Sequence, residues 1–454
     1  MRATSFFVRH RFLLLGLVIA VAYTVVFFVT FLHASRSGVT LEQYVVATDD
    51  STEYISIART LLSDHRFALS PEAMPEVFRA PGYPFFLALL LLVFGSILAI
   101  PFVQILLAAG SAVLVALLGE RYFSRGLGFS TAILFACEPI ALSHVLIALS
   151  ETLFVFLFLL AIWFLTAKGA SLRHIFFAGL LVGLSALVRP IGLYCLPIFI
   201  MWVLWQQRHL WRIALLSATV LTLGAALAVS PWMSRNKIVG EHYAISSVSS
   251  FNPLFYSVIS FESSRRGVLE AVIRQELYKQ LGTDSGALLQ SFAYADAERA
   301  LTQKYLVAHP VEYAVFHIEK TVPFFVGSGI GTSLSLVRIS ESIPDTNISG
   351  MIVRGDMHGA FAALTASPLV FAELIFWVLI SLCASVSLVV AWLWQRKEFA
   401  ILVFLFAIVC LFALATGPVS SPRYRLPVEP FMFLGAFACL RVLYLRFRGV
   451  STTR

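Results

Sequence analysis

The chain has 454 residues, 59% of them hydrophobic and only 13% charged, and its mean hydropathy is +0.86. Soluble domains carry roughly a quarter charged residues, so these values exclude that class. The net charge of +8 sits largely in short basic clusters at the ends of apolar segments. Such placement suits membrane orientation and argues against a nucleic-acid surface.

The first apolar run, 12–32, follows Arg2, Arg9 and Arg11. It exceeds the apolar region of a cleaved leader, which predicts an uncleaved span with a cytoplasmic N-terminus. Further spans are predicted at 101–118, 127–147, 152–167, 175–188, 191–206, 213–231, 368–394, 399–416 and 430–445, about ten in all. The apolar segment 84–94 is only about eleven residues long and is predicted to lie at the interface. Arg121, Arg125, Lys168, Arg173, Arg208, Arg212, Arg396, Lys397, Arg441, Arg446 and Arg448 then share one side. That side is the cytoplasm, and both termini lie on it. The expected fold is an all-α polytopic membrane protein with about ten transmembrane helices and interfacial helices in the first outer loop. It divides into an N-terminal membrane module over 1–232 with its outer loop at 34–95, an outer loop or small capping domain over 233–367, and C-terminal helices over 368–454. Within 233–367, periodicity predicts helices at 268–281 and 287–308.

The five cysteines fall inside apolar segments without ligand spacing. No Asp/His cluster is spaced for a metal and no glycine-rich phosphate loop occurs, so neither a metal centre nor nucleotide hydrolysis is predicted.

The polar residues of the outer face carry the candidate chemistry. Asp49, Asp50, Ser51, Thr52 and Glu53 open an amphipathic helix whose apolar stripe is Tyr54, Ile57, Ala58, Leu61 and Leu62. Asp50 reads as a helix N-cap, with Glu53 completing a capping box, and equally as a general base fixed at a helix start. Nothing local holds Asp49. Arg79 stands before Ala80-Pro81-Gly82-Tyr83-Pro84, a turn stiffened by two prolines. It suits either an interfacial arginine reaching lipid phosphates or a dedicated phosphate contact. Glu151 ends a span, where a carboxylate needs a partner or a polar cavity. His144, one to two turns earlier, reads as structural. Arg189-Pro190, Arg235-Asn236 after Pro231-Trp232, and Arg423-Tyr424-Arg425-Leu426-Pro427 with Glu429 put arginine near proline in three outer turns. The positive-inside tendency disfavours arginine there. The pattern therefore points to an anionic ligand and carboxylate chemistry in one site, with structural ion pairs as the alternative.

Read in order, Asp50-Ser-Thr-Glu-Tyr54, Arg79-Ala-Pro-Gly-Tyr-Pro84, Ser150-Glu151, Leu187-Val-Arg189-Pro190, Pro231-Trp232-x-x-Arg235-Asn236 and Arg423-Tyr-Arg-Leu-Pro427 cover most of the chain. They resemble the GT-C superfamily of integral-membrane glycosyltransferases, in particular bacterial relatives of protein O-mannosyltransferases and the lipid A aminoarabinose transferase. The resemblance implies inverting transfer of a sugar from a polyprenyl-phosphate carrier to a glycolipid, glycan or protein outside the cytoplasmic membrane. It aligns Asp50 with the acidic residue of the first outer loop and Arg79 with the basic residue before the Pro-Gly-Tyr turn. Those families often carry Asp-Glu where Asp50 is followed by Ser51, which leaves the division of labour between Asp49 and Asp50 open.

The expected site thus comprises Asp50, Asp49 and Glu151 as catalytic carboxylates. Arg79, Tyr83, Arg189, Arg235, Arg423 and Arg425 are the expected ligands of the donor phosphate. The expected partners are the lipid-linked donor, the acceptor and membrane lipids, with no further cofactor and no nucleic acid. A polyprenyl phosphate leaves once its charge is neutralised, so arginines and one base suffice for direct displacement. A secondary transporter would gather charge near the midplane, where these spans are poor in it. A lipid-linked sugar flippase is the remaining alternative.

Overall fold

The computed structural model describes residues 2–167, 169–339, 351 and 356–448. Among them every regular element is helical. Helix α1 (Arg2–Ser35) leads into a loop carrying α2 (Leu41–Val45), α3 (Asp49–Asp64) and α4 (Gly82–Phe94). Then follow α5 (Ala99–Tyr122), α6 (Arg125–Ala136), α7 (Pro139–Leu146), α8 (Glu151–Leu165), α9 (Leu172–Val188), α10 (Ile191–Tyr194), α11 (Leu196–Gln206) and α12 (Trp211–Gly240). A region of shorter helices holds α13 (Val248–Asn252), α14 (Ile259–Arg266), α15 (Glu270–Leu281), α16 (Gly286–Leu289), α17 (Ala295–Ala308), α18 (Pro310–Val326), α19 (Ile330–Leu336) and α20 (Met357–Ala366). The chain closes with α21 (Pro368–Trp394), α22 (Arg396–Thr416), α23 (Pro422–Arg425) and α24 (Glu429–Phe447).

All ten predicted spans are helical, and the fold is an all-α multi-pass membrane protein. Among the described residues, six helices are long and apolar enough to cross a bilayer: His10–Ser35, Ala99–Tyr122, Trp211–Gly240, Pro368–Trp394, Lys397–Val419 and Glu429–Phe447. Helices α6 and α7 qualify only together, with a bend of 57° between them. The spans expected at 152–167, 175–188 and 191–206 are shorter apolar helices. Helix α4 has 13 residues and exposes Phe85, Leu89, Leu92 and Val93.

Close packing fixes the frame. Side chains on Gly179 and Gly183 of α9 would run into the Leu221 and Ala225 carbonyls of α12, and one on Gly224 into the Phe176 carbonyl. Small residues one turn apart let these two backbones touch, as is common between membrane helices. Phe154 and Phe158 of α8 meet Phe412 of α22, while Phe158 also meets Phe199 of α11 and Phe431 of α24. Each buried ring contributes about 1.5–3 kcal/mol by area alone. This aromatic knot holds the end of α8 that carries Glu151.

Two local expectations are corrected. The N-cap of α3 is Thr48, not Asp50: Thr48 Oγ1 accepts from the Ser51 amide at 3.1 Å, and Ser51 Oγ accepts from the Thr48 amide at 2.8 Å. Ser51 thus takes the capping-box position, which leaves Asp50 and Glu53 free for other partners. The helix expected over 287–308 is broken into α16, a 3-10 turn at Phe292–Tyr294 and α17. The Ser291 hydroxyl accepts the Ala293 amide at 3.2 Å at this break, and Phe292 is buried there against Val77. The region from 251 to 289 gathers its own apolar cluster around Phe251, Leu254, Phe255, Ile273 and Leu277.

Candidate active site

Helix α3 buries Ser51, Tyr54, Ile55 and Ala58, which turns the i, i+3 pair Asp50 and Glu53 toward the segment ending at Arg79. Glu76 holds that segment by accepting the Phe78 and Arg79 amides at 2.5 and 2.9 Å. At the next turn, a Cβ on Gly82 would lie 2.8 Å from the Leu187 carbonyl carbon. Only glycine lets α4 start this close to the end of α9, where Arg189 stands.

The result is an unbroken series of alternating charges. Arg79 Nε donates to Glu53 Oε2 at 2.5 Å, and Arg79 Nη2 pairs with Asp50 Oδ1 at 2.9 Å. Asp50 Oδ2 accepts from Arg423 Nη2 at 2.8 Å. Arg423 Nε donates to Glu151 Oε1, which also accepts from Arg189 Nη1 at 2.6 Å. Arg189 Nη1 reaches Ser150 Oγ at 3.2 Å as well. Three carboxylates and three guanidiniums thus neutralise one another in formal charge. Tyr54 and Tyr424 support the chain with their rings, at 5.4 Å from the Arg79 guanidinium and 5.8 Å from that of Arg189.

Burial gives these pairs their weight. The Glu151 side chain is 0% exposed, and a lone carboxylate there would cost several kcal/mol. Two arginines offset that cost at Oε1, while the buried Oε2 has no partner. Burial works to raise the Asp50 carboxyl, but Arg423 and Arg79 outweigh it and hold the group below the usual carboxylate range. Arg189, Arg423 and Tyr424 also face a cavity of about 260 Å³, closed by Ser249, Asn252 and Phe412 among others.

Five of the expected residues, Asp50, Arg79, Glu151, Arg189 and Arg423, meet in this series. The other four lie elsewhere. Asp49 is exposed and pairs with no basic side chain among the described residues. Tyr83 is buried: its hydroxyl donates to Gln104 Oε1 at 2.7 Å and its ring packs edge-on against Tyr54. Arg235 donates to the Glu76 carbonyl at 2.8 Å and lies over Trp232. Arg425 is fully buried, paired with Glu429 at 3.0 Å and bonded to the Phe324 and Gly327 carbonyls. His144 bonds through Nδ1 to the Ile140 carbonyl at 2.9 Å. Two contributors were not foreseen. Glu53, read as a capping residue, is an arginine partner. Gln104 holds the Val145 and Ile147 carbonyls at 3.0 and 2.6 Å and so fixes the turn before Glu151. A lone glutamine in an apolar span was the available signal. Among the described residues no three His, Cys, Asp or Glu side chains form a metal-ligand set.

Residues 78–234 match the family model described as dolichyl-phosphate-mannose-protein mannosyltransferase. No curated protein matches the chain. Among solved structures it is similar to the archaeal oligosaccharyltransferase AglB from Archaeoglobus fulgidus, in complex with an inhibitory peptide and a dolichol-phosphate. The identity is 13% and the TM-score 0.46, over 98% of this chain and 52% of that one. It is also similar to ArnT from Cupriavidus metallidurans bound to undecaprenyl phosphate, at 13% identity and a TM-score of 0.42, over 96% of this chain and 78% of that one. The chain spans about half the length of the archaeal protein. Across the segment that carries Arg79, Tyr83, Glu151 and Arg189, this chain is similar to the mannosyltransferase family, and it resembles the GT-C glycosyltransferases as its motifs indicate.

Proposed function

We propose that the protein transfers a sugar from a polyprenyl-phosphate carrier to an acceptor hydroxyl by a single, inverting displacement. The observation that carries this reading is the alternating series itself, set beside a cavity that two of its arginines face. Arg423 and Arg189 present guanidiniums to that cavity, the side-chain type suited to bidentate phosphate contact. The acceptor oxygen attacks C1 of the sugar as the C1–O bond to phosphate breaks. The phosphate departs with the electron pair, its growing charge met by the arginines. The acceptor proton passes to Asp50.

Asp50 is the base in this scheme, and it is ionised but engaged by Arg79 and Arg423. A donor phosphate competes for the same guanidinium. When Arg423 turns to it, one Asp50 oxygen is uncovered and its basicity returns toward that of an ordinary carboxylate. Donor binding thus switches on the base. The unpartnered Glu151 Oε2 offers a second acceptor for orienting the incoming hydroxyl. A double displacement would need a second carboxylate as nucleophile about 5 Å from the first, and Glu151 Oε1 is already engaged by two arginines.

The basic clusters favour the cytoplasmic membrane, with both termini inside and this site on the outer face. The acceptor class is a glycolipid, glycan or protein hydroxyl. Detergent-purified protein given a polyprenyl-phosphate sugar labelled in the lipid should release polyprenyl phosphate only when an acceptor is present. Transport or flipping of intact donor without release would overturn the reading.

A further inference from the structure

A second cavity, of about 490 Å³, opens at the opposite end of the membrane helices. It lies between the end of α5, the 166–170 turn after α8, the end of α11 and the start of α22. Helix α8 separates that turn from Glu151 by 15 residues, about 22 Å at 1.5 Å per residue. The cavity therefore lies away from the transfer chemistry proposed above.

Its lining is rich in donors and holds no carboxylate. Trp202 is 6% exposed, and its Nε1 has no hydrogen-bond partner. Its ring is fixed against Phe404 at 4.7 Å and Trp205 at 5.6 Å. Arg208 is exposed and uses Nη1 for the Trp205 carbonyl at 3.0 Å, with no acidic partner. Lys397 is exposed and has neither ion pair nor hydrogen bond among the described residues. Neighbouring Tyr122, by contrast, is satisfied by the Thr166 carbonyl at 2.6 Å.

A buried indole N–H without an acceptor is costly unless a ligand supplies one. Two unpaired cations beside it select an anion composed of acceptors, which describes a phosphate. The ends of apolar helices with exposed tryptophan mark the headgroup level of a bilayer. We propose that this cavity holds the phosphate of an anionic glycerophospholipid and ties the end of α11 to the start of α22. Basic pockets between helix ends are a recognised form of headgroup site.

The test compares phosphatidylglycerol, phosphatidylcholine and inorganic phosphate on the full-length protein in detergent, with bound lipid counted by native mass spectrometry. Wild type should retain phosphatidylglycerol over phosphatidylcholine, and inorganic phosphate should not displace it at equal concentration. The double variant R208A/K397A should bind phosphatidylglycerol roughly 30-fold more weakly, each cation near the surface supplying about fivefold. R173A/R212A removes the same charge at the same end but outside the lining, and should bind as wild type does. Trp202→Phe keeps the ring, loses the N–H and should weaken binding a few-fold. Equal retention of both lipids by wild type would overturn the proposal without reference to any variant. Equal losses in the two double variants would reduce it to diffuse charge attraction. Displacement by inorganic phosphate would assign the cavity to a soluble anion.

Discussion

Replacing Arg423 by alanine separates the structural from the chemical role of the charge series. Arg423 joins Asp50 to Glu151, so the variant leaves Glu151 with Arg189 alone and Asp50 with Arg79 alone. Removing the sole partner of a buried charge costs about 3–5 kcal/mol. Here Arg189 remains at 2.6 Å from Glu151, and the Arg423 side chain was 29% exposed. Water can fill part of its place, which brings the expected stability loss to about 1–2 kcal/mol. The effect on turnover should be far larger if Arg423 meets charge on the leaving phosphate. Loss of one such donor slows chemistry by about 10²–10³-fold. The pH profile should shift too. Without Arg423 the Asp50 carboxyl rises toward its ordinary value, so protonation silences the variant at a higher pH than wild type. The assay is release of labelled polyprenyl phosphate at saturating donor between about pH 4 and 8, with melting curves on the same preparations. Turnover within a few-fold of wild type, together with a lowered melting temperature, would make Arg423 a structural tie and refute the argument.

Asp50→Asn should cut transfer by about 10²–10⁴-fold while the start of α3 stays intact, since Thr48 supplies the cap; Asp49→Asn should transfer at nearly the wild-type rate, and the reverse order would reassign the base. Arg79→Lys should retain one of two contacts, because an ammonium cannot span Glu53 and Asp50 as the planar fork does. Its donor affinity should fall about tenfold, by roughly the worth of one charge-assisted bond, and unchanged titration of donor binding would remove Arg79 from the site. Glu298 is buried, and burial raises its carboxyl to about 7 against the opposing pull of Ser250 and Arg299. The folded state therefore keeps a proton that the unfolded chain loses from about 4.5 upward, so wild-type stability declines between those two values. Glu298→Gln should melt progressively above wild type from about pH 4.5 to 7, and parallel melting curves would contradict the shift.

Much of this fold was readable from the sequence because apolar length and charge placement are coarse, strong signals. The convergence of Asp50, Arg79, Glu151, Arg189 and Arg423 was readable for the same reason: each stands at the same end of an apolar segment. Side-chain direction was harder. Arg423 and Arg425 are two positions apart, and on a helix such neighbours face opposite sides. One enters the charge series, and the other turns inward to Glu429, an i, i+4 partner visible in the sequence. The cap of α3 was misplaced for a related reason. Thr48 and Asp50 are both good N-cap types, and only the extended backbone at Thr48 chooses between them. Arg235 carries the same local motif as Arg189 but is absorbed by the Glu76 carbonyl, a contact 159 residues away that no local pattern reports.

The shortness of α8, α9 and the α10–α11 pair has a consequence for how a carrier lipid reaches the protein. At 15 residues, α8 spans about 22 Å against a hydrocarbon thickness near 30 Å. A mismatch of this size is relieved by local thinning of the bilayer, at a fraction of a kcal/mol per ångström. The leaflet surface then dips where Glu151 and Arg189 stand, and headgroups sink to the level of the arginines. A long isoprenoid can stay dissolved among the acyl chains while its phosphate arrives by lateral diffusion. The protein need not lift its substrate out of the membrane, because the membrane descends to meet it.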